Sequence, residues 1–192
     1  MLSPTTELDA INTMLSAIGE APVNTVEDNG VVDAVMARQI LNGISREVQA
    51  WGWHWNTEKE YLLVPTFPEG ELVLPHTVLR VDTVSSDQDV DVVVRGNRLY
   101  DRRNHTYKFD RPLKVDMVIL LPFHELPEPA RRYITIRSAR TFQERVVGST
   151  ELSQFALKDE LRALAVLREM DADTADYNIL TDNYSVARVL DR

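Results

Sequence analysis

The sequence predicts an α+β fold: a helical bundle carrying an inserted antiparallel β region and ending in an extended C-terminal arm. Three observations lead there. Apolar residues recur at steps of three and four at both ends of the chain, the signature of amphipathic helices. Between about Tyr61 and Leu121 the period drops to two, and Pro65, Pro68, Gly70, Pro75, Gly96, Asn97 and Pro112 punctuate it. Helices, then strands, then helices again is the order of an α+β chain, not of an alternating parallel sheet.

Ser3 and Pro4 read as an N-cap followed by proline in the first helical position, with Glu7 suiting the positive end of the helix dipole. Leu8, Ile11, Leu15 and Ile18 form the apolar stripe of this first helix, and Gly19 is placed to end it in a left-handed conformation. The segment EAPVNTVEDNG is a loop. A second helix runs from about Val32 through Ala37, Leu41, Ile44, Val48 and Trp51, and Gly52 closes it. Beyond Gly52 a period of two places Trp53 and Trp55 on one face of an extended segment and His54 on the other.

In the middle third, alternation is visible in TVLRVDTV, in DVVVRG and in LKVDMVIL, where Val115, Met117 and Ile119 share a face. RGNRLYD predicts a hairpin turning at Gly96 and Asn97. After LPEP a third helix carries Tyr133, Ile136, Phe142 and Val146 to a stop at Gly148. A fourth begins near Ser149 with Leu152, Phe155, Leu161, Leu164 and Met170 on a broad apolar face. The divisions expected are 1–55 and 125–175 for the bundle helices, 56–124 for the β insertion and 176–192 for the arm. A terminus so sparse in apolar residues is ordered only where its own body or a neighbouring subunit holds it.

At 192 residues the chain can bury roughly 70% of its unfolded surface without staples. It contains no cysteine, which excludes disulfide frameworks, thiolate metal sites and cysteine nucleophiles. No apolar run approaches the length of a membrane span, and MLSPTTELDA lacks a signal peptide's basic start and apolar core, so the expectation is a cytosolic origin with no membrane partner. A net charge of -9 argues against a protein that grips phosphates by counterion release. The same charge suits a wall past which DNA slides without sticking.

The motifs of common enzymes are missing: no nucleophile elbow, Walker loop, dinucleotide fingerprint or paired-histidine zinc motif. The four histidines, His54, His76, His105 and His124, have spacings that suit no metal cluster and read as surface or turn residues. Asp87, Asp89 and Asp91 imitate the start of a calcium loop, but Val92 and Arg98 stand where glycine and glutamate are required, so these acids are expected to line one solvated face. No cofactor or metal is expected.

All three tryptophans fall in AWGWHWNTEKE, and this stretch supports two readings. In one, Trp53 and Trp55 form a glycan-binding platform beside Glu58 and Glu60, the pair of carboxylates a glycan hydrolase would need. In the other, Trp51, Gly52, Trp53 and Asn56 are a packing joint: Trp51 packs from the second helix into the bundle, Gly52 turns the chain, and Trp53 anchors the first extended segment.

Arg46, Val48, Gln49, Gly52, Trp53 and Asn56 in REVQAWGWHWN resemble the signature of the tail tubular protein A family, adaptors of short-tailed podovirus-type phages. LSAIGEAPVNTVE, RGNRLYDRRNHTYKFD, RYITIRSARTFQERVVG and EMDADTADYNIL extend the resemblance in order along the chain. Trp51 and Trp55 stand where the family tolerates other residues. The resemblance implies a structural virion protein of the tail, made in the host cytoplasm and not an enzyme. It implies a dodecameric ring of copies between the portal protein and the nozzle, tail tubular protein B, with tail fibres around the joint and DNA passing through without specific binding. The family fold it implies is a helical bundle with a β insertion, and it carries over no catalytic residue. A tail-associated glycan-binding or glycan-hydrolysing protein is the alternative.

Overall fold

The computed structural model describes residues 3–25 and 31–175, so the arm expected over 176–192 lies outside the described residues. The chain is α+β and divides into two compact units, residues 1–41 with 127–192, and residues 42–126.

The first unit is helical. Its α1, Glu7–Ser16, starts one turn later than Ser3 and Pro4 suggest. Thr6 is the N-cap: its hydroxyl accepts from the Asp9 backbone N–H at 3.1 Å, and Asp9 accepts in return from the Thr6 N–H at 2.9 Å. This reciprocal pair satisfies two orphan donors, which Ser3 could not do. The turn that follows the helix closes as expected at Gly19, whose φ of 85° lets the Glu20 N–H reach the Leu15 carbonyl at 3.0 Å. The buried stripe is Ala10, Ile11, Met14 and Leu15, displaced from the expected one because Leu8 and Ile18 are only half-buried.

Helix α3, Glu128–Val146, packs against both α1 and α4, Thr150–Thr174. Tyr133, Ile134 and Phe142 of α3 are fully buried, and Gly148 adopts a φ of 71° at the bend between the helices. Ser149 caps α4, accepting from the Leu152 N–H. The α4 face differs from expectation: Glu160, Ala163 and Leu167 are buried, while Leu152, Phe155 and Leu161 are at least half exposed. An ion pair between half-buried Arg140 and buried Glu160 explains part of the shift. Arg140 donates to Glu160 at 2.5 Å, so α3 and α4 meet around a charge pair where the sequence suggested leucines.

Helix α2, Val32–Gln49, gives its first half to this unit and its second half to the other. The second unit then holds β1, Thr57–Leu63; β2, Val78–Thr83; β3, Val92–Arg95; β4, Arg98–Asp101; and β5, Leu113–Ile119. Strands β1, β5 and β2 make an antiparallel sheet with β5 in the centre, and β3 and β4 form the expected hairpin, Arg95 opposite Arg98, with Gly96 at a φ of 66°. Leu113, Val115 and Met117 of β5 share a core with Leu63, Leu72, Leu74, Val81, Leu99 and Phe109. Their alternation is the one read from LKVDMVIL.

The acids of DQDVD do not lie on one solvated face. Asp87 is buried and accepts from Arg111 and from the Lys114 backbone N–H at 3.0 Å, while exposed Asp89 and half-buried Asp91 are partners of Arg111 and Arg102. The Arg111 hydrogen bond, then that of Lys114, holds the Asp87 carboxyl below the usual aspartate range. A single-turn 3-10 helix, Ser85–Asp87, turns this first acid inward.

Candidate functional site

The tryptophan stretch joins the end of α2 to β1, entirely within the second unit. It is not extended beyond Gly52 as the period of two suggested. His54–Asn56 form a 3-10 turn instead, and the reason lies in the side chain of Asn56. Its Oδ1 accepts from the Trp53 backbone N–H at 2.8 Å, and its Nδ2 donates to the carbonyls of Gln49 and Ile119, both at 2.9 Å. One amide thus satisfies the end of α2, the turn and the exit of β5. A strand through Trp53 and Trp55 would carry Asn56 out of that position.

Gln49 does parallel work one turn earlier. Its Nε2 donates to the Ser45 hydroxyl and the Leu121 carbonyl, each at 3.0 Å, and its Oε1 accepts from the Leu121 N–H at 2.8 Å. Gln49 and Asn56 are essentially inaccessible to water. Both are neutral, so they bridge elements without the desolvation cost that buried charges would bring.

Gly52 makes the turn with a φ of 78°. The left-handed backbone demands glycine, and a Cβ there would also stand 2.7 Å from the flexible guanidinium end of Arg80 and 3.0 Å from a methyl of Val118. Trp53 is 7% exposed, and its indole Nε1 donates to the Val48 carbonyl at 2.8 Å. Its ring lies between those of Trp51, at 5.7 Å and 36°, and Trp55, at 6.4 Å and 11°. Trp51 is 42% exposed, which overturns the expectation that it packs into the bundle; it leans on Trp53 from outside. Trp55 is half-buried, with a covered Nε1 that meets no acceptor among the described residues.

This geometry lends the glycan reading no support. Trp53 is buried, and its ring N–H is committed to the Val48 carbonyl. Glu58 and Glu60 are exposed and do not keep a strand's period, because a bulge between Glu58 and Tyr61 breaks the register with β5. Glu60 sits on that bulge with a φ of 54°, donates its N–H to Asp116 and pairs with Lys114 at 3.0 Å. All four histidines are exposed, and the described residues hold no group of three or more metal-ligating side chains. No described helix is long and apolar enough to cross a membrane.

Sequence reasoning missed Ser45, Arg80, Val118, Ile119 and Leu121 as members of this joint. Only Ser45, four residues before Gln49 on one helix face, carried a local signal.

The joint therefore has a role inside the fold: the buried amides of Gln49 and Asn56 bind its elements to one another. Comparison with known proteins says what kind of protein carries it. A model of the tail tubular protein family matches residues 8–177. The chain is 32% identical over 165 residues to tail tubular protein A of Klebsiella phage KP34, covering 85% of this chain and 86% of that one. It is also 32% identical over 96 residues to the inner capsid protein VP3 of Aquareovirus A (isolate Chum salmon/Japan/CSRV/1981), a stretch of 47% of this chain but 8% of VP3. The chain belongs to the tail tubular protein family. It is a structural component of a phage tail and not an enzyme.

Proposed function

We propose that this protein is the head-to-tail adaptor of its phage, a ring of twelve copies seated between the portal protein and tail tubular protein B, with tail fibres around the joint and DNA passing through the lumen. One observation carries the reading: the family match runs over residues 8–177, through both units, and the similarity to the tail tubular protein A of phage KP34 extends over most of both chains. The net charge of -9 supports a lumen that repels the phosphate backbone. In this reading residues 1–55 and 125–175 form the ring-building bundle, 56–124 an inserted β region and 176–192 an arm. Subunits collect in the host cytoplasm before assembly, and Trp51, Gly52, Trp53 and Asn56 serve as the internal joint, with no catalytic, cofactor or metal site.

Native mass spectrometry of the purified protein, alone and mixed with the cognate portal ring, tests it. A closed assembly of twelve copies, alone or on the portal, is the expected result. A monomer that ignores the portal at micromolar concentration overturns the reading.

A further inference from the structure

Two apolar surfaces, one on each unit, take no part in the joint. The first is the loop of the second unit that follows β1, where Phe67 is 97% exposed. Backbone bonds close this loop: the Gly70 N–H donates to the Thr66 carbonyl at 2.7 Å, the Thr66 N–H to the Glu71 carbonyl at 2.8 Å, and the Phe109 N–H to the Gly70 carbonyl at 2.8 Å. The phenyl ring is thus held out in water on a fixed support, which reduces the ordering cost of burying it against a partner. An aromatic presented in this way has the character of an interface anchor. No lysine or arginine occurs from Glu60 to Leu79, and exposed Glu69 stands two residues past Phe67.

The second surface is an open groove of about 750 Å³ between α1, α3 and α4 of the first unit. Along α4 it runs from Leu152 to Val166, each 51% exposed, and between them Ala156 and Ala163 leave room that larger side chains would fill. Arg132, Arg140 and Arg162 line it with one acid, Asp159. Arg140 is committed to Glu160 and Glu144, whereas Arg132 makes no ion pair among the described residues and Arg162 has an exposed contact of 3.5 Å with Asp159, a pair of little energetic weight. Near the turn between α3 and α4 lies Gln143, 4% exposed, whose Nε2 donates to the Ser149 carbonyl at 3.4 Å while its Oε1 meets no donor among the described residues. A buried acceptor in that state calls for a donor from an occupant.

We propose that the groove of one copy receives the Phe67 loop of a second copy, with the phenyl ring over Ala156 and Ala163, Glu69 against Arg162 and Arg132, and the Thr66 hydroxyl toward Gln143. The charges match, an acidic loop on a basic groove, and so does the order. Thr66, Phe67 and Glu69 follow one another along the loop as Gln143, Ala156 and Arg162 do along the groove. Arg162 stands about 9 Å along α4 from Ala156, a span that two loop residues and the long Glu and Arg side chains cover. The Thr66 oxygen already accepts from the Glu71 N–H at 3.2 Å, so its proton is the part left to donate. Loop and groove are different surfaces, so the contact is heterologous: each copy gives its loop to one neighbour and its groove to the other, the arrangement that builds a ring. The inference rests on the ring reading above and names the surfaces that join its copies.

The test uses full chains, which contain no cysteine of their own, in the condition, alone or on the portal ring, where the parent assembles. A chain with Glu69→Cys mixed with a chain with Arg162→Cys forms a two-chain disulfide under mild oxidation about tenfold faster than Glu69→Cys mixed with Arg168→Cys, an exposed α4 position outside the groove. Phe67→Ser leaves the melting temperature of the single chain unchanged, because the side chain lies in water, and abolishes assembly. Arg162→Glu weakens assembly about tenfold, and Glu69→Arg added to it restores assembly. Parent rings in which groove and control pairs close at equal rates, or Phe67→Ser rings that form like the parent's, overturn this contact and leave the ring reading standing. A Phe67→Ser ring that forms but no longer accepts the nozzle protein assigns the loop to that partner and likewise overturns it. A parent that never assembles overturns both.

Discussion

The side-chain amide of Asn56 donates to the backbone carbonyl of Gln49 at 2.9 Å, and with that bond the last turn of α2 is tied to the first turn of the β unit. The same nitrogen reaches Ile119 at the end of the central strand, and the same side chain's oxygen holds the Trp53 N–H. Helix end, turn and sheet share one buried residue, and it is the point where substitution should be most informative.

Asn56→Ala strands an N–H and two carbonyls where water cannot reach, and by the usual cost of buried unsatisfied groups should lower stability by about 3 kcal/mol or more. Asn56→Asp should be at least as damaging at pH 7, since a carboxylate can only accept and two of the three partners are acceptors. Urea denaturation of the two variants checks both; an Asn56→Asp as stable as the parent would contradict the bonding described.

Trp53→Ala removes a buried ring and should cost about 3–5 kcal/mol. Trp53→Phe keeps most of the apolar volume and loses the donor to Val48, so it should cost about 1–2 kcal/mol. Trp51→Ala, at a 42% exposed ring, should cost clearly less than Trp53→Ala. Melting temperatures of the three, with assembly followed in parallel, give the order directly.

Gly52→Ala meets two obstacles, the left-handed backbone and the atoms of Arg80 and Val118. The first alone costs about 1–2 kcal/mol. Arg80→Ala in the same chain clears the closer of the two obstructing side chains, so the double variant should recover part of the loss and never all of it. Full recovery would mean that the backbone conformation carries no cost.

Between α3 and α4, Arg140→Met takes from Glu160, 8% exposed, its 2.5 Å partner and leaves it the longer 3.9 Å contact with Arg137, and should cost about 3 kcal/mol. Glu160→Leu added to it should restore most of that stability, because two apolar residues of similar size need no partner. A thermal melt of single and double variants measures the coupling.

Acid should weaken the β unit through Asp87. Its carboxyl is held below the usual aspartate value of 3.8, so its contribution is complete above that pH and is lost as pH falls through the depressed folded value. The denaturation midpoint should decline below about pH 4 in the parent. Asp87→Asn should be less stable at pH 7 and show a shallower decline. Parallel pH profiles would remove Asp87 as a cause.

Much of this molecule is legible in order of residues alone. Fold class, the four helices, the hairpin at Gly96 and Asn97, the inward face of β5 and the need for glycine at positions 19 and 52 follow from periodicity and turn chemistry, which act between near neighbours. The signature residues Gln49, Gly52, Trp53 and Asn56 were visible as a resemblance. What only the tertiary structure decided is why they matter: Ile119 and Leu121, more than sixty residues away, supply the partners that pull Asn56 and Gln49 inward and make a 3-10 turn of a segment with a strand's period. The same holds for the cap at Thr6, the bulge that separates Glu58 from Glu60, and the pairing of half-buried Arg140 with buried Glu160 on the inward face of α4. Local pattern sets which element forms; distant hydrogen-bond partners and the room left by neighbouring side chains set where it stops and which face it buries.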